Sequence, residues 1–370
     1  MKKIFMILSV VLIALMLAGC GAEVADIETV DIDTSDHERL QVIASIFPQF
    51  DFVRQIAGDR VDLMMLISPG AESHGFEPTF RDMVAIERAD LLIYVGGHSD
   101  TWVERVLASV EREDMRTVAL IDLVDTVLTD HLHDHSHSHD HNDHHHAHDD
   151  DAHDHDHHHG HSHDHSHHHI HDDDDAHDHA HHHEHSHDHD HHHEPHDDEH
   201  VWTCPHNAIR IVEVLTDVLS ELDPANAYYF RSNAANFIEA LHALDHAFTE
   251  VVNQAVRHTV VFGDRFPFRY LMDTYGLTYH AAFTGCSAET QASPATIARL
   301  IDIVNEESIS VVFHIEFSTM LIANVIAEAT GARLVEMHSA HNVSQGDFNA
   351  GVTYLDLMYR NVEALREALS

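Results

Sequence analysis

The chain has 370 residues, more than one hydrophobic core usually serves, and 44% of them are hydrophobic, an ordinary share for a globular protein. Its 64 acidic residues against 19 Lys and Arg give a formal charge of −45, which disfavours nucleic acid and anionic surfaces as partners and favours cations. The 46 His residues are the second anomaly, and 35 of them fall within residues 131–200.

Lys2 and Lys3 open the chain, followed by an apolar run from Ile4 to Leu17 that is short for a membrane span. The run ends in Leu17-Ala18-Gly19-Cys20, which resembles the signal at which bacterial lipoproteins are cut and lipidated. Residues 1–20 are therefore expected to be a lipoprotein signal peptide. Acyl chains on Cys20 would then hold the mature protein at the outer face of the bacterial cell membrane. Residues 21–38, polar and acidic, read as a tether. Outside the cytoplasm Cys204 and Cys286 are able to form a disulfide; each could also be a metal donor or a buried small side chain, and a structural or spectator role comes first.

Short apolar runs at 40–47, 61–67, 90–96 and 117–121 read as buried strands, with helical patterns at 48–58, 79–89 and 100–111 between them. The rhythm returns with strands at 259–263, 278–283, 310–316 and 333–339 and helices near 267–275, 294–306, 319–330 and 351–369. Strands alternating with helices predict an α/β fold of two lobes, each a parallel sheet flanked by helices. Residues 39–222 form the N-terminal lobe and 258–370 the C-terminal lobe. A helix over 206–221 ends at Asp223-Pro224. The stretch 223–257 then reads as one long rigid linking helix, a rod of roughly 50 Å at 1.5 Å per residue. Such a rod would restrict the relative motion of the lobes. Asp51, Asp100 and Glu104 read as acids on a solvated face.

Residues 131–199 are a His/Asp-rich insertion in the first lobe with no Lys or Arg and almost nothing apolar. Such composition cannot offset chain entropy by burial, so the segment is expected to lack a fixed fold. Imidazole and carboxylate together bind divalent transition metals, and a metal-collecting role fits the composition better than a pH-responsive or merely solvated tract. A specific site needs donors on fixed elements. His74, His200 and His338 lie beside predicted strand or helix ends, where ligands gather in parallel α/β sheets.

HGFEPTFRDMVAIERADLLIYVGGHSDTWVERV, DEHVWTCPHNA, LDPANAYYFRSNAANFIEAL and GDFNAGVTYLDLMYRNVEAL together resemble the solute-binding proteins of zinc and manganese ABC importers, over nearly the whole mature chain. The resemblance implies His74 as first ligand and His200 as second. His338 falls where relatives place their last ligand, and His341 is three residues further on. The third ligand departs from the pattern. Arg265 occupies its place in FGDRFPFRYLMDTYGL, and Asp264 beside it either donates oxygen or pairs with the Arg. His280 and Cys286 are further donors in that lobe, and Glu316 resembles a structural Glu of relatives. The expected shell is His74, His200, His338 and Asp264.

Three imidazoles suit Zn2+ better than Mn2+, which prefers more oxygen. The expected function is therefore capture of Zn2+ in the interlobe cleft and delivery to an ABC transporter permease, without catalysis. One rival is a metal buffer or adhesin in which the tract is the functional part. The other is a zinc hydrolase, disfavoured because no G-x-S-x-G occurs and no clear general base is seen.

Overall fold

The computed structural model describes residues 39–71, 76–98, 100–110, 112, 114–128, 197–283 and 292–370. Strands β1 (Leu40–Ala44), β2 (Val61–Met65), β3 (Leu91–Tyr94) and β4 (Arg116–Ala119) form one sheet in the order β2-β1-β3-β4. Strands β5 (Thr259–Phe262), β6 (Thr278–Ala281), β7 (Val311–His314) and β8 (Arg333–Glu336) form a second, ordered β6-β5-β7-β8. Every pairing is parallel. Sheets covered on both faces need strands apolar on both faces, which is why Val42-Ile43-Ala44, Leu91-Leu92-Ile93 and Val311-Val312-Phe313 are continuous buried runs.

The helices of the first half are α1 (Phe47–Ala57), α2 (Phe80–Arg88), α3 (Thr101–Leu107) and α4 (Pro205–Leu222). Next comes the long α5 (Ala227–Asn253), and then α6 (Arg269–Tyr275), α7 (Pro294–Glu306), α8 (Leu321–Thr330), α9 (Gln345–Ala350) and α10 (Tyr354–Leu369). Side-chain caps fix several starts: Thr79 with Asp82, Ser293 with Thr296 N–H, and Thr353 with Asp356. The helix predicted over 351–369 is α10, which starts at Tyr354 after a separate short α9. Ser344 caps α9, Gly351 ends it in the left-handed region at φ 75°, and Thr353 starts α10 afresh.

At 27 residues α5 is about 40 Å long. It buries one stripe, Phe230, Ala234, Phe237, Leu241, Leu244, Phe248 and Val251, against α1, α4 and α10. Because those partners come from both halves, one core runs from Val42 and Phe52 through Phe237 to Phe262 and Leu365. Smaller cores cover the outer faces, one around Leu92 and Trp102, the other around Val261 and Val312.

Two acids expected at a solvated face are buried. Asp51 is fully covered, accepts from Arg54 Nε at 2.8 Å and takes the backbone N–H of Tyr354 at 2.6 Å, so it fastens α1 to the start of α10. Burial pushes its carboxyl up, opposed by the Arg54 guanidinium. Asp100 accepts Val95 N–H at 2.7 Å and Gly96 N–H at 3.1 Å, closing the turn after β3. Glu104 stays exposed, as expected.

Candidate metal centre

In each sheet the chain leaves the central pair, β1 and β3 or β5 and β7, in opposite directions, so each carboxyl edge has a crevice at the point of reversal. The residues just past these strands, Ile46 and Val95 in one sheet and Asp264 and Ile315 in the other, have left the ladder. Sequence assigned several of them to strands because they are apolar and buried.

His200 stands beside the first crevice, 4% exposed, at the start of a short 3-10 turn, Val201–Thr203. The carboxylate of Asp198 lies 2.9 Å from His200 Nδ1 and also accepts its backbone N–H at 2.9 Å. A proton on Nδ1 shared with that carboxylate sets the tautomer, directs the lone pair to Nε2 and raises its basicity as a metal donor. Asp198 is itself fixed: its N–H donates to Val127 O at 2.7 Å, and its carbonyl accepts Tyr270 Oη at 2.7 Å from the second lobe. Asp197 pairs with Leu128 in an antiparallel bridge. The residues that flank the segment outside the described residues, 128 and 197, therefore lie side by side. Residues 197–199, grouped with the insertion on composition, are part of the site's frame.

The facing imidazole is His341. Its ring centroid is 5.9 Å from that of His200 and 5.2 Å from that of Trp202. Ile46, Ile67, Val95, Asp100, Glu199, His200, Trp202 and His341 line one pocket. The 338–343 loop of the second lobe is bonded directly onto the first. Trp202 Nε1 donates to Ser339 O at 2.8 Å, and Phe47 N–H to His341 O at 3.4 Å. Asn342 Nδ2 donates to Ser68 O and Ala71 O at 2.9 and 2.8 Å. Burial, aided by the Glu199 charge and opposed by the Gly96 and Val95 N–H groups, pushes the Asp100 carboxyl up to about 6.

His338 does not line this pocket. It is 5% exposed, and its backbone is clamped by Asn361 through two 2.7 Å bonds. Its Nδ1 accepts Ala340 N–H at 2.9 Å and lies 3.7 Å from Glu316 Oε1. Glu316 accepts both Ser339 N–H, at 2.8 Å, and Ser339 Oγ. Asp264, 8% exposed, accepts Arg265 N–H at 2.9 Å and faces Ile315 N–H at 3.5 Å, so it ties the end of β5 to the end of β7. Neither Asp264 nor His338 stands with His200.

His280 lies on the edge strand β6, where burial and the Arg299 charge hold its imidazole below the usual range. Cys204 is buried with Sγ 3.2 Å from Thr274 Oγ1, and burial pushes its thiol up. Cys20, His74 and Cys286 lie outside the described residues. Among the described residues no three His, Cys, Asp or Glu side chains already enclose an ion. Asp198 and Glu199 carried no weight in the sequence reading. Their direct adjacency to His200 was the available signal.

A family model described as ZnuA, zinc-uptake complex component A periplasmic, matches residues 42–368. The zinc-binding lipoprotein AdcA of Streptococcus pneumoniae serotype 4 is 26% identical over 367 residues, covering 99% of this chain and 61% of its own length. The chain thus spans about three-fifths of that relative. The high-affinity zinc uptake system protein ZnuA of Bacillus subtilis is 25% identical over 358 residues, covering 96% of this chain and 94% of its own. The crystal structure of the Zn(II)-bound ZnuA-like domain of Streptococcus pneumoniae AdcA matches with a TM-score of 0.63 at 24% identity, covering 90% of this chain and 99% of that one. That of the metal-dependent lipoprotein YcdH from Bacillus subtilis matches at 0.65 and 22%, covering 90% and 100%. These structural likenesses speak for the two-lobed α/β fold. The match over 42–368 settles the family: this chain belongs to the ZnuA family of zinc-uptake components.

Proposed function

We propose that the chain is an extracytoplasmic, lipid-anchored carrier that captures Zn2+ between its lobes and delivers it to the permease of an ABC importer. It is a binding protein and not an enzyme. The observation that carries this is the pairing of His200 with His341, one imidazole from each half of the chain, in a single pocket at the carboxyl edge of the first sheet. Two imidazoles suit Zn2+ better than Mn2+. His74, from its sequence position, is kept as a third imidazole. In the second lobe His341 takes the part that sequence assigned to His338, and Asp264 stays outside the shell.

The His-rich segment supplies the metal. The pairing of its flanking residues, Leu128 and Asp197, within a few residues of His200 supports that reading. Because the 338–343 loop is hydrogen-bonded to the first lobe, capture needs side-chain adjustment more than swinging of lobes. Release follows when docking on the permease parts that loop from Trp202 and Asn342 from Ser68.

Zinc titration of a chain lacking residues 131–196, against a competing chelator, tests the reading. One tight equivalent is expected to survive the deletion and to disappear in both His200→Ala and His341→Ala. If the deletion alone abolishes tight binding, the tract is the functional part and the lobes are its scaffold.

A further inference from the structure

The imidazoles of the pocket bring no negative charge to a divalent ion, and the pocket holds a side chain that does. Glu199 lines it beside His200 and His341. The space for its carboxylate is made by Gly97. A methyl group there would stand 2.7 Å from Glu199 Oε1 and 2.9 and 3.0 Å from Cγ and Cδ. Gly97 also sits at φ +80°, a conformation that side chains rarely adopt, so the turn after β3 is built around a residue with none. Asp100, buried in the same lining, gives its carboxylate to the Val95 and Gly96 N–H groups. A carboxylate in that lining offsets the charge of a bound cation.

We infer that Glu199 is an oxygen ligand of the captured ion and sets the site's metal preference, with Gly97 as the residue that makes room for it. The inference rests on the proposed capture of a metal by His200 and His341. Asp198 and Glu199 then act on the same centre in different ways: Asp198 holds the imidazole of its near neighbour, and Glu199 donates to the ion. With no side chain at Gly97, the Glu199 carboxylate has its place over the turn after β3, in the same pocket lining as His200 and His341. A carboxylate oxygen is the harder donor of the set, so its loss should weaken Mn2+ more than Zn2+.

The test is chelator-competition titration of the full chain with Zn2+ and separately with Mn2+, the chelator being strong enough to strip the His-rich segment. Glu199→Gln keeps shape and hydrogen bonding and removes the charge. At least a ten-fold loss of Zn2+ affinity and a larger loss for Mn2+ are expected, while thermal stability without metal holds or rises. Gly97→Ala should weaken both metals in the same direction. If Gly97→Ala fails to fold, Glu199→Asp replaces it, with an intermediate loss expected. Wild-type affinities and an unchanged Zn2+/Mn2+ ratio in Glu199→Gln overturn the inference. His200→Ala separates the two failures. If it keeps the tight equivalent, the capture site itself is wrong; if it loses it while Glu199→Gln binds normally, only the role of Glu199 falls.

Discussion

The carboxyl edges of the two sheets share strand order but use their polar residues in different ways. At the first edge, Asp198 spends its carboxylate on an imidazole, and the imidazole faces a pocket shared with His341 and Glu199. At the second edge, Asp264 and Glu316 spend theirs on the backbone, closing the turn after β5 and holding Ser339. In the proposed reading the first edge offers donors to an ion. The second fixes the loop that delivers His341 to it. Carboxylates at equivalent strand ends are therefore poor guides to ligation until their hydrogen-bond partners are known.

The sharpest way to break that contrast is at Asp198. Asp198→Ala removes the acceptor for both His200 Nδ1 and its backbone N–H. Loss of the carboxylate behind a ligating imidazole typically costs about 10–100-fold in metal affinity. The upper end is expected here, because the backbone N–H also loses its partner. Zinc affinity by chelator competition reads it. An affinity within a factor of about two of wild type would mean that His200 does not ligate through Nε2.

A smaller effect is expected at Asp100, read as stability without metal. Its folded carboxyl titrates near 6 against an ordinary 3.8, so between those values the folded chain holds a proton that the unfolded chain has lost. Stability then rises as pH falls from 6 toward 4, and the penalty for the buried charge is fully present above 6. The size is on the order of 2 kcal/mol. Asp100→Asn keeps an acceptor for the Val95 and Gly96 N–H groups and should abolish that part of the pH dependence. Denaturant melts of both proteins at pH 4.5 and 7.5 make the comparison, and an identical pH slope in the two would show that Asp100 does not hold the proton.

The strands were legible because two-sided burial writes itself as unbroken apolar runs, and all eight predicted runs contain one. Their ends were not, since Ser45 and Ile46 are buried and Ile315 is half-buried just past their strands, and they look like more strand. His200 was legible from its surroundings in DEHVW. The choice between His338 and His341 was not. Ala340 between them sits at φ +58°, in the left-handed region where few side chains go. That reversal accompanies the split between His338, beside Glu316, and His341, beside His200. No propensity marks an alanine for such a turn; the bonds from Ala340 N–H to His338 Nδ1 and from His341 N–H to Ser339 Oγ hold it in place.

The smallest effect is expected at Asp264, the acid that sequence placed in the shell. Its carboxylate accepts Arg265 N–H and lies 3.5 Å from Ile315 N–H, and it does not line the pocket with His200. Asp264→Asn keeps an oxygen for the shorter bond, so zinc affinity should change by less than about three-fold, under 1 kcal/mol. Asp264→Ala should instead lower stability by about 1–3 kcal/mol, because buried N–H groups lose their acceptor, with zinc stoichiometry kept. A measured loss of the tight equivalent in Asp264→Asn would make the second edge a donor like the first. The division of labour between the two sheets would then be false, and the second lobe would reach the ion through β5 as well as through the His341 loop.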